Sequence, residues 1–529
     1  GNASVLCFVM VCVLVSCCSA DFVCRECQTL ANDLLSIPES NQTYSLVLNE
    51  LDNLCDSVLS GDPILRRTCK DIAADIVSDM QYLGTFLAKG WSGYSLCTML
   101  SLCDSYCCLM PYRPEQVHLS VTSDPTEMIV TFVTGELITP TVQWDTSNCH
   151  PEDDEGEVFV SYGDDDCQFA FSSTGTTRTY QQASWEGQIH EVKLTQLEPS
   201  TTYWYRVGDP NYDWSTHNFN FTTPPELNSA TDPGVYKIVA FGDMGASDVS
   251  DVNIFQLQRL AQNRDIDVIL HAGDISYANG YQYVWDDYMR KVEFFSAYVP
   301  YMTAVGNHEL FYNFTAFKER FSMPGESSAS DTNMYFSFNY GTAHFIAYSF
   351  EEYGGLAPEM QPGGIEYNWL LQDLKWAASS YNRTERPWII MYGHRPFYCS
   401  SAPGSDDIPC SIEAARYRSW IEPLIHDFNV DLVIQAHVHD YERTYPVYNN
   451  TVVSTSYDDP GAATYVVVGT GGNREGNENG DNFSHPEPWS AANSLDVGFA
   501  MMSITNSSLE WNFFSSYENQ VIDQFTITK

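Results

Sequence analysis

Short runs of apolar residues, each closed by small or polar residues, recur through the chain beyond residue 230. Five of these runs are rich in the aliphatic and aromatic side chains that suit buried strands. They span residues 238–241, 268–270, 301–305, 388–392 and 431–434. The pattern therefore predicts five core strands of an α/β sheet.

Each of these runs is followed by residue types that bind metal ions. The residues are Asp243, Asp274, Tyr277, Asn307, His308, His394, His437 and His439. Functional groups in open α/β sheets lie outside the carboxyl ends of the strands, so we expect the five ends to share one crevice. One such motif alone is weak, because Gly-Asp marks turns and a lone His is usually a core residue. Five such motifs in succession, each after a strand, predict one metal-binding site.

The residue types indicate two cations rather than one. A carboxylate that bridges two ions, flanked by imidazole, amide and phenol groups, suits iron, zinc or manganese. Two ions about 3.5–4 Å apart can hold both the attacking and the leaving oxygen of a phosphoryl displacement. This arrangement predicts hydrolysis of a phosphate ester.

The length of the chain indicates several domains, because its 529 residues exceed the roughly 250–300 that one core supports. We expect modules at 21–110, 112–225 and 232–529, the last with a C-terminal region from about residue 460. Residues 1–20 are expected to be a signal peptide, with an apolar stretch at 5–15 and small residues at 17–20. A buried helix or a membrane anchor is the weaker reading, since spanning a bilayer takes about 20 apolar residues.

Six of the eight cysteines in residues 21–110 lie among helical patterns. They are Cys24, Cys27, Cys55, Cys69, Cys97 and Cys103. A zinc site is disfavoured, because the cysteines are spread over some eighty residues without a His among them. Their spacing resembles saposin B-type domains, and that resemblance implies the pairs Cys24 with Cys103, Cys27 with Cys97, and Cys55 with Cys69. Such a module either meets a lipid or membrane surface or only caps and positions an enzyme; Cys107 and Cys108 stay unassigned.

Residues 112–225 read as short strands separated by turn residues, which predicts a β-sandwich. The segment LEPSTTYWYRVGD resembles the tyrosine corner of fibronectin type III modules. Cys149 and Cys167 flank an acidic loop and are expected to pair. The loop itself is read as a solvated charge run in preference to a calcium site.

Cysteine and sequon usage favours a secreted or lysosomal or vacuolar location. Sixteen cysteines less the four in the first twenty residues leave an even twelve, including an expected pair of Cys399 with Cys410. The expected glycosylation sites are Asn41, Asn220, Asn313, Asn382, Asn449, Asn482 and Asn506. A net charge of −44 makes nucleic acid an improbable partner, and it suits an acidic lumen where part of the carboxylates are protonated.

Over residues 112–529 the ordered motifs resemble the metallophosphoesterases, and Tyr277, three residues after Asp274, resembles the purple acid phosphatase branch. The resemblance implies an α/β sandwich of two mixed sheets flanked by helices. It implies that Asp243, Asp274, Tyr277 and His439 hold Fe(III), while Asp274, Asn307, His394 and His437 hold a divalent zinc, iron or manganese ion. It further implies that Asn307 and His308 meet the phosphate and that a metal-bound hydroxide attacks phosphorus. His308 is not itself a ligand in this family, and the resemblance implies that it either stabilises the phosphate or protonates the leaving alkoxide; a purely structural role for His308 is the alternative.

Two stretches depart from the family pattern. Ala436 stands where Gly is usual before His437, and the segment GHRPFYCSS lacks the extra substrate-facing His residues of the plant enzymes. It looks like the GHRPMYCS stretch of an animal and plant subgroup. Arg395, which is as readily structural, and His485 are therefore weak candidates for meeting the phosphate.

The function expected from the sequence is a secreted or lumenal acid phosphatase for phosphate monoesters, and a homodimer is compatible with it. Two alternatives stay open. One is a saposin-assisted phosphodiesterase for lipid or nucleotide esters, and the other is a catalytically silent lipid-binding glycoprotein. The complete ligand set disfavours the second.

Overall fold

The computed structural model describes residues 111–147, 168–182, 185–227, 234–400, 410–477 and 486–529. From Tyr112 to Lys529 the chain forms one compact unit. The predicted saposin-like module and signal peptide lie outside the described residues. So do the predicted Cys149–Cys167 pair, His485, Asn41 and Asn482.

The described residues form twenty-three strands and six α-helices. The strands are β1 (Glu115–Val121), β2 (Met128–Thr134), β3 (Thr141–Asp145), β4 (Phe171–Thr174), β5 (Thr176–Arg178), β6 (Gln188–Leu194), β7 (Thr202–Gly208), β8 (Phe219–Thr222), β9 (Tyr236–Phe241), β10 (Val268–Ala272), β11 (Tyr301–Ala304), β12 (Phe336–Tyr340), β13 (Ala343–Tyr348), β14 (Trp388–Gly393), β15 (Leu432–Gln435), β16 (Tyr441–Thr444), β17 (Val447–Tyr448), β18 (Thr451–Val452), β19 (Thr464–Val468), β20 (Ser490–Ser494), β21 (Gly498–Ile504), β22 (Ser508–Ser515) and β23 (Gln520–Thr528). The helices are α1 (Asp251–Gln262), α2 (Gln282–Ser296), α3 (Phe311–Arg320), α4 (Ile365–Ala377), α5 (Ser380–Glu385) and α6 (Cys410–Asp427).

The first eight strands form the predicted N-terminal β domain. They make two antiparallel four-stranded sheets, ordered β1-β2-β6-β5 and β4-β3-β7-β8. Apolar side chains of both sheets, such as Val130 and Tyr205, belong to one core. The hydroxyl of Tyr203 accepts a hydrogen bond from the amide of Glu198 at 2.9 Å, which is the backbone contact that a tyrosine corner makes.

The remaining strands build the α/β domain around two mixed sheets, as the family resemblance implied. One sheet has the order β11-β10-β9-β21-β22-β23, and the other has the order β12-β13-β14-β15-β19-β16-β20. The strands β9, β10 and β11 are parallel, and so are β13, β14, β15 and β19. The five predicted runs are therefore divided between the two sheets, three in the first and two in the second.

Strand β14 shows how alternation divides the core. Ile390 and Tyr392 belong to the apolar cluster shared with the first sheet, whereas Ile389 and Met391 belong to a second cluster with residues of α4 and α6. Successive side chains of a strand point to opposite faces, so a run that is apolar throughout can be buried on both. The run from residue 388 to 392 is apolar throughout because both faces of the strand are buried.

Arg320 joins the β domain to the α/β domain. This fully buried side chain donates to the Tyr180 hydroxyl at 2.8 Å, to Oε1 of Gln116 at 2.9 Å and to Oδ1 of Asp286 at 2.8 Å. A buried guanidinium needs such partners, because an unpaired buried charge is costly. The contact fixes the β domain against α2 and α3.

The predicted glycosylation sites differ in accessibility. Asn313, Asn449 and Asn506 are exposed. Asn220 and Asn382 are buried, and the side-chain amide of Asn382 donates to the carbonyl of Trp376 at 2.7 Å. Glycosylation stays a prediction, and among the described residues the first three are the accessible acceptors.

None of the helices described here has the length and apolar character needed to cross a bilayer.

Candidate metal centre

The ends of the central strands carry the predicted ligands on backbone of unusual conformation. Asp243 follows β9 with φ 57°, Asp274 follows β10 with φ 49°, and His437 follows β15 with φ 70°. Non-glycine residues rarely adopt positive φ, and such strain gathers at functional sites. The strain here turns the side chains away from their strands and toward one another.

Two glycines of the motifs are required by close packing. A Cβ at Gly273 would lie 2.6 Å from Cβ of His394, and a Cβ at Gly306 would collide with the backbone of Asp274. Gly273 also has φ 82°, which disfavours any side chain. The glycines therefore let the Asp274 loop approach both His394 and the Asn307 turn.

The first half of the centre is formed by Asp243, Tyr277 and His439. The Tyr277 hydroxyl donates to Oδ1 of Asp243 at 3.0 Å and lies 2.9 Å from Nε2 of His439. Nε2 of His439 is 3.4 Å from the same Asp243 oxygen. Carboxylate, phenol and imidazole atoms thus lie close together at one place.

The second half is formed by Asp274, Asn307, His394 and His437. Nε2 of His394 lies 2.9 Å from Oδ1 of Asn307, 3.0 Å from Oδ2 of Asp274 and 3.2 Å from Nδ1 of His437. One ligand atom from each of Asp274, His394 and His437 falls within 4.8 Å of the others. This group can hold a metal ion.

The tautomers of two histidines are set for metal binding. Nδ1 of His394 donates to the carbonyl of Ala272 at 3.1 Å, and Nδ1 of His439 donates to the carbonyl of Gly476 at 2.9 Å. In each ring Nε2 is then the nitrogen that faces the centre, and loss of its proton would leave a lone pair there for a metal ion. Metal-binding histidines are oriented in this way by the groups around them.

The electrostatics of the centre also fit cations. Burial opposes charge on His394 and His439, yet the carboxylates of Asp274 and Asp243 outweigh it and raise the pKa of His394 to about 10 and of His439 to about 9. Burial, followed by Asp243 and Asp274, raises the pKa of Tyr277 well above its usual value. The two buried carboxylates therefore demand positive charge at these atoms, which a pair of metal ions would supply.

His308 lies beside this cluster, near Asp274. Its Nδ1 is 2.6 Å from Oδ1 of Asn279, and its ring packs on the Tyr277 ring with centroids 4.2 Å apart. Nε2 lies 3.8 Å from Asp274 and 3.7 Å from Glu475. At these distances His308 stays outside both groups of donor atoms.

Several residues around the centre were missed by the sequence analysis. Asn279 orients His308, and Asn473 donates to the carbonyl of Asp243 at 3.1 Å.

The buried carboxylate of Glu309 was missed as well. It accepts hydrogen bonds from the amides of Ile275 at 3.0 Å and Gly306 at 2.9 Å, and so it connects the Asp274 loop to the Asn307 turn. Burial raises the pKa of Glu309 to about 8. Of these residues only Glu309 could have been recognised from the sequence, because it belongs to the GNHE motif itself.

Arg395 is held by protein carboxylates. It pairs with Glu351 at 3.0 Å and with Glu413 at 2.8 Å, and it is buried. Removing one partner of such a buried pair costs about 3–5 kcal/mol. The arrangement favours the structural role that the sequence had left open over contact with phosphate.

Cys399 and Cys410 form the expected disulfide.

Comparisons with known proteins agree with this geometry. A calcineurin-like phosphoesterase model matches residues 236–441, a purple acid phosphatase N-terminal domain model matches 114–223, and an iron/zinc purple acid phosphatase-like C-terminal model matches 462–524. Acid phosphatase type 7 of Danio rerio is 34% identical, and the match covers 79% of this chain and 91% of that protein. Probable purple acid phosphatase 20 of Arabidopsis thaliana is 32% identical, with coverage of 69% and 76%.

The chain belongs to the purple acid phosphatase family. The solved purple acid phosphatase PPD1 from yellow lupin (Lupinus luteus) seeds aligns with a TM-score of 0.64 at 26% identity, covering 79% of this chain and 75% of that one. As a purple acid phosphatase with a metallophosphoesterase domain, the protein is a phosphoester hydrolase. Family membership implies a binuclear centre of iron and another metal, and the donor set described above fits it.

Proposed function

We propose that the protein hydrolyses phosphate monoesters at acid pH with an Fe(III) and divalent metal pair. The observation that carries the proposal is the position of Asp274 between the two groups of donors. One carboxylate oxygen lies 3.0 Å from Nε2 of His394 in the second half, and the charge of Asp274 also acts on Tyr277 and His439 in the first. Asp274 would therefore bridge the two ions.

The other residues of the centre would bind one metal ion or the other. Asp243, Tyr277 and His439 would hold Fe(III), and Asn307, His394 and His437 would hold zinc, iron or manganese. When bound, the pair lowers the pKa of a water nucleophile and neutralises phosphate charge. The backbone amide of His308 donates to Oδ1 of Asp274 at 2.8 Å and keeps that carboxylate in place.

His308 would serve the leaving group. Its Nδ1–H donates to Asn279, so Nε2 is the atom that can carry a transferable proton. His308 is also partly exposed, whereas the metal-binding carboxylates are buried. Its Nε2 would donate a proton to the departing alkoxide, which is a general-acid role.

The proposed setting is outside the cytoplasm, in secretions or in an acidic lysosomal or vacuolar lumen. The expected signal peptide, the even cysteine count and the net charge of −44 support it. The role of residues 21–110, whether shielding the enzyme or bringing it to lipid, belongs to the same proposal.

The test is a comparison of substrates on purified, metal-loaded protein at pH 5. Rates would be measured with a monoester, a diester and a phospholipid in vesicles, and His308→Ala would report background hydrolysis. The proposal requires the monoester to have the highest kcat/KM. A higher kcat/KM for the diester or the phospholipid would replace it with the phosphodiesterase alternative.

A further inference from the structure

A group of exposed apolar side chains lies where two loops of the metal centre meet. We call it the aromatic rim. Its members and exposed fractions are Tyr281 (62%), Tyr283 (65%), Leu310 (42%), Phe311 (47%) and Tyr312 (49%). Exposed apolar side chains gathered beside a functional site are candidates for a binding surface.

The rim is continuous with the catalytic centre. Asn279, which holds His308, is followed by Gly280, where a Cβ would lie 3.1 Å from Cδ1 of Phe311 and 3.6 Å from Cε2 of Tyr312. Phe311 and Tyr312 therefore lie over the loop that carries Asn279. Tyr281 comes next in the chain, and its ring is 6.1 Å from that of Tyr283.

The backbone holds these side chains outward. Asn279 and Gly280 have φ 48° and 90°, and Tyr312, Asn313 and Phe314 have φ 55°, 58° and 60°. Three consecutive residues in the left-handed region cost energy that surrounding contacts must offset. The Tyr312 carbonyl accepts from the Thr315 hydroxyl at 2.6 Å, and the Phe314 side chain is buried beneath. This strained turn keeps Phe311 and Tyr312 at the surface.

We propose that the aromatic rim binds an aromatic group in the alcohol half of the substrate. This inference rests on the proposed monoesterase function. If His308 gives its proton to the leaving oxygen, the alcohol departs on the His308 side of the phosphate. The rim lies on that side, because one of its loops carries Asn279, which bonds to His308, and the other directly follows His308 in the chain. Four of its five members are aromatic, and offset or edge-to-face ring contacts favour a planar partner.

A lipid surface is the competing occupant. Tyrosine and phenylalanine also occur at membrane interfaces, but a chain of net charge −44 is repelled by anionic membranes. Continuity with His308 also favours a group that belongs to the substrate itself. We therefore argue for the small aromatic group, and the experiment includes vesicles.

The experiment uses the metal-loaded full chain and two esters whose alcohols have similar acidity, 2-phenylethyl phosphate and propyl phosphate. The readout is the ratio of their kcat/KM values, which cancels general damage to the centre. We expect Phe311→Ala and Tyr281→Ala each to lower the ratio about three- to tenfold, the scale of an aromatic contact, through the KM of the aromatic ester. Phe311→Tyr should keep the wild-type ratio. So should Tyr381→Ala, which removes an exposed tyrosine from α5.

The outcomes separate this inference from the function on which it rests. Wild-type protein that hydrolyses neither ester overturns the proposed function and the rim together. Hydrolysis of both esters with the same ratio in wild type, Phe311→Ala and Tyr281→Ala overturns the rim alone. An unchanged ratio combined with weaker binding of the variants to phosphatidylcholine vesicles assigns the surface to lipid and likewise overturns the inference.

Discussion

The phenolic oxygen of Tyr277 lies 2.9 Å from Nε2 of His439. The two residues are 162 positions apart in the chain, yet both also meet the same oxygen of Asp243. Tyr277 is fully buried, and burial together with Asp243 and Asp274 raises the pKa of its hydroxyl. A phenol in such a place is deprotonated only if a strong positive charge joins it, and the proposed Fe(III) has that charge.

Colour tests this relationship. A tyrosinate bound to Fe(III) absorbs visible light by charge transfer, so the oxidised, iron-loaded protein should be purple. Tyr277→Phe should lose the visible band while the fold persists. Tyr288→Phe is the matched control, because Tyr288 is also buried but bonds to Tyr301 at 2.7 Å. A visible spectrum unchanged by Tyr277→Phe would show that another group binds the iron.

Replacing His308 should separate metal binding from proton transfer. His308→Ala should retain both metals and lower kcat about 10²- to 10⁴-fold, the usual contribution of a positioned acid. Asn279→Ala should have a smaller effect, because it only orients the ring through the 2.6 Å contact. Metal analysis and steady-state rates check both variants. Wild-type turnover in His308→Ala would remove this residue from the mechanism.

The sequence indicated the candidate ligands because each follows its strand within a few positions. Asp274 and Tyr277 are read from one short segment, and the fold only has to bring the segments together. Contacts between loops that are distant in the chain could not be predicted in this way. Glu351, which pairs with Arg395, lies 44 residues before it, and Glu475 approaches His308 from a separate segment. No local pattern in the sequence predicts these contacts.

The sequence motifs also could not show which of their residues are buried. A sequon at Asn382 reads like one at Asn449, but the first is buried against Trp376 and the second is exposed. The aromatic rim was missed for the opposite reason. Apolar residues such as Phe311 suggest core, and a strained turn places this one at the surface.

The β domain should lose stability on acidification through His190. Its ring nitrogens contact the hydroxyls of Thr134 at 2.7 Å and Thr177 at 2.9 Å, and burial lowers its pKa from 6.5 to about 4. Between those values the unfolded chain takes up a proton that the folded chain does not, so the free energy of unfolding falls as pH falls. One such group contributes a slope of at most about 1.4 kcal/mol per pH unit.

Chemical denaturation of wild type and His190→Gln between pH 7 and pH 4 measures that slope. The variant is expected to lose less stability over this range, whatever its stability at pH 7. Parallel curves for the two proteins would mean that His190 is protonated in the folded state or does not couple to unfolding.

Deleting residues 21–110 tests the expected saposin-like module. Every predicted metal ligand lies between Asp243 and His439, within the compact unit from Tyr112 to Lys529. Hydrolysis of soluble monoesters should therefore be nearly intact in the truncated protein. Selective loss of activity on liposome-borne phosphate esters at pH 5 would assign the module to lipid recruitment. Equal rates of both proteins on both substrates would reject that role, and loss of the soluble activity in folded protein would show that the module shapes the active site.

We propose that one carboxylate, Asp274, holds two cations together. Its most direct test is the metal content per chain of purified wild type and Asp274→Ala, measured by elemental analysis, with His308→Ala as the neighbouring control. We predict two metal ions per chain in wild type and His308→Ala, at least one of them iron, and loss of metal together with activity in Asp274→Ala. Two ions per chain retained in Asp274→Ala, or a single ion in fully active wild type, would show that Asp274 does not bridge a pair of ions.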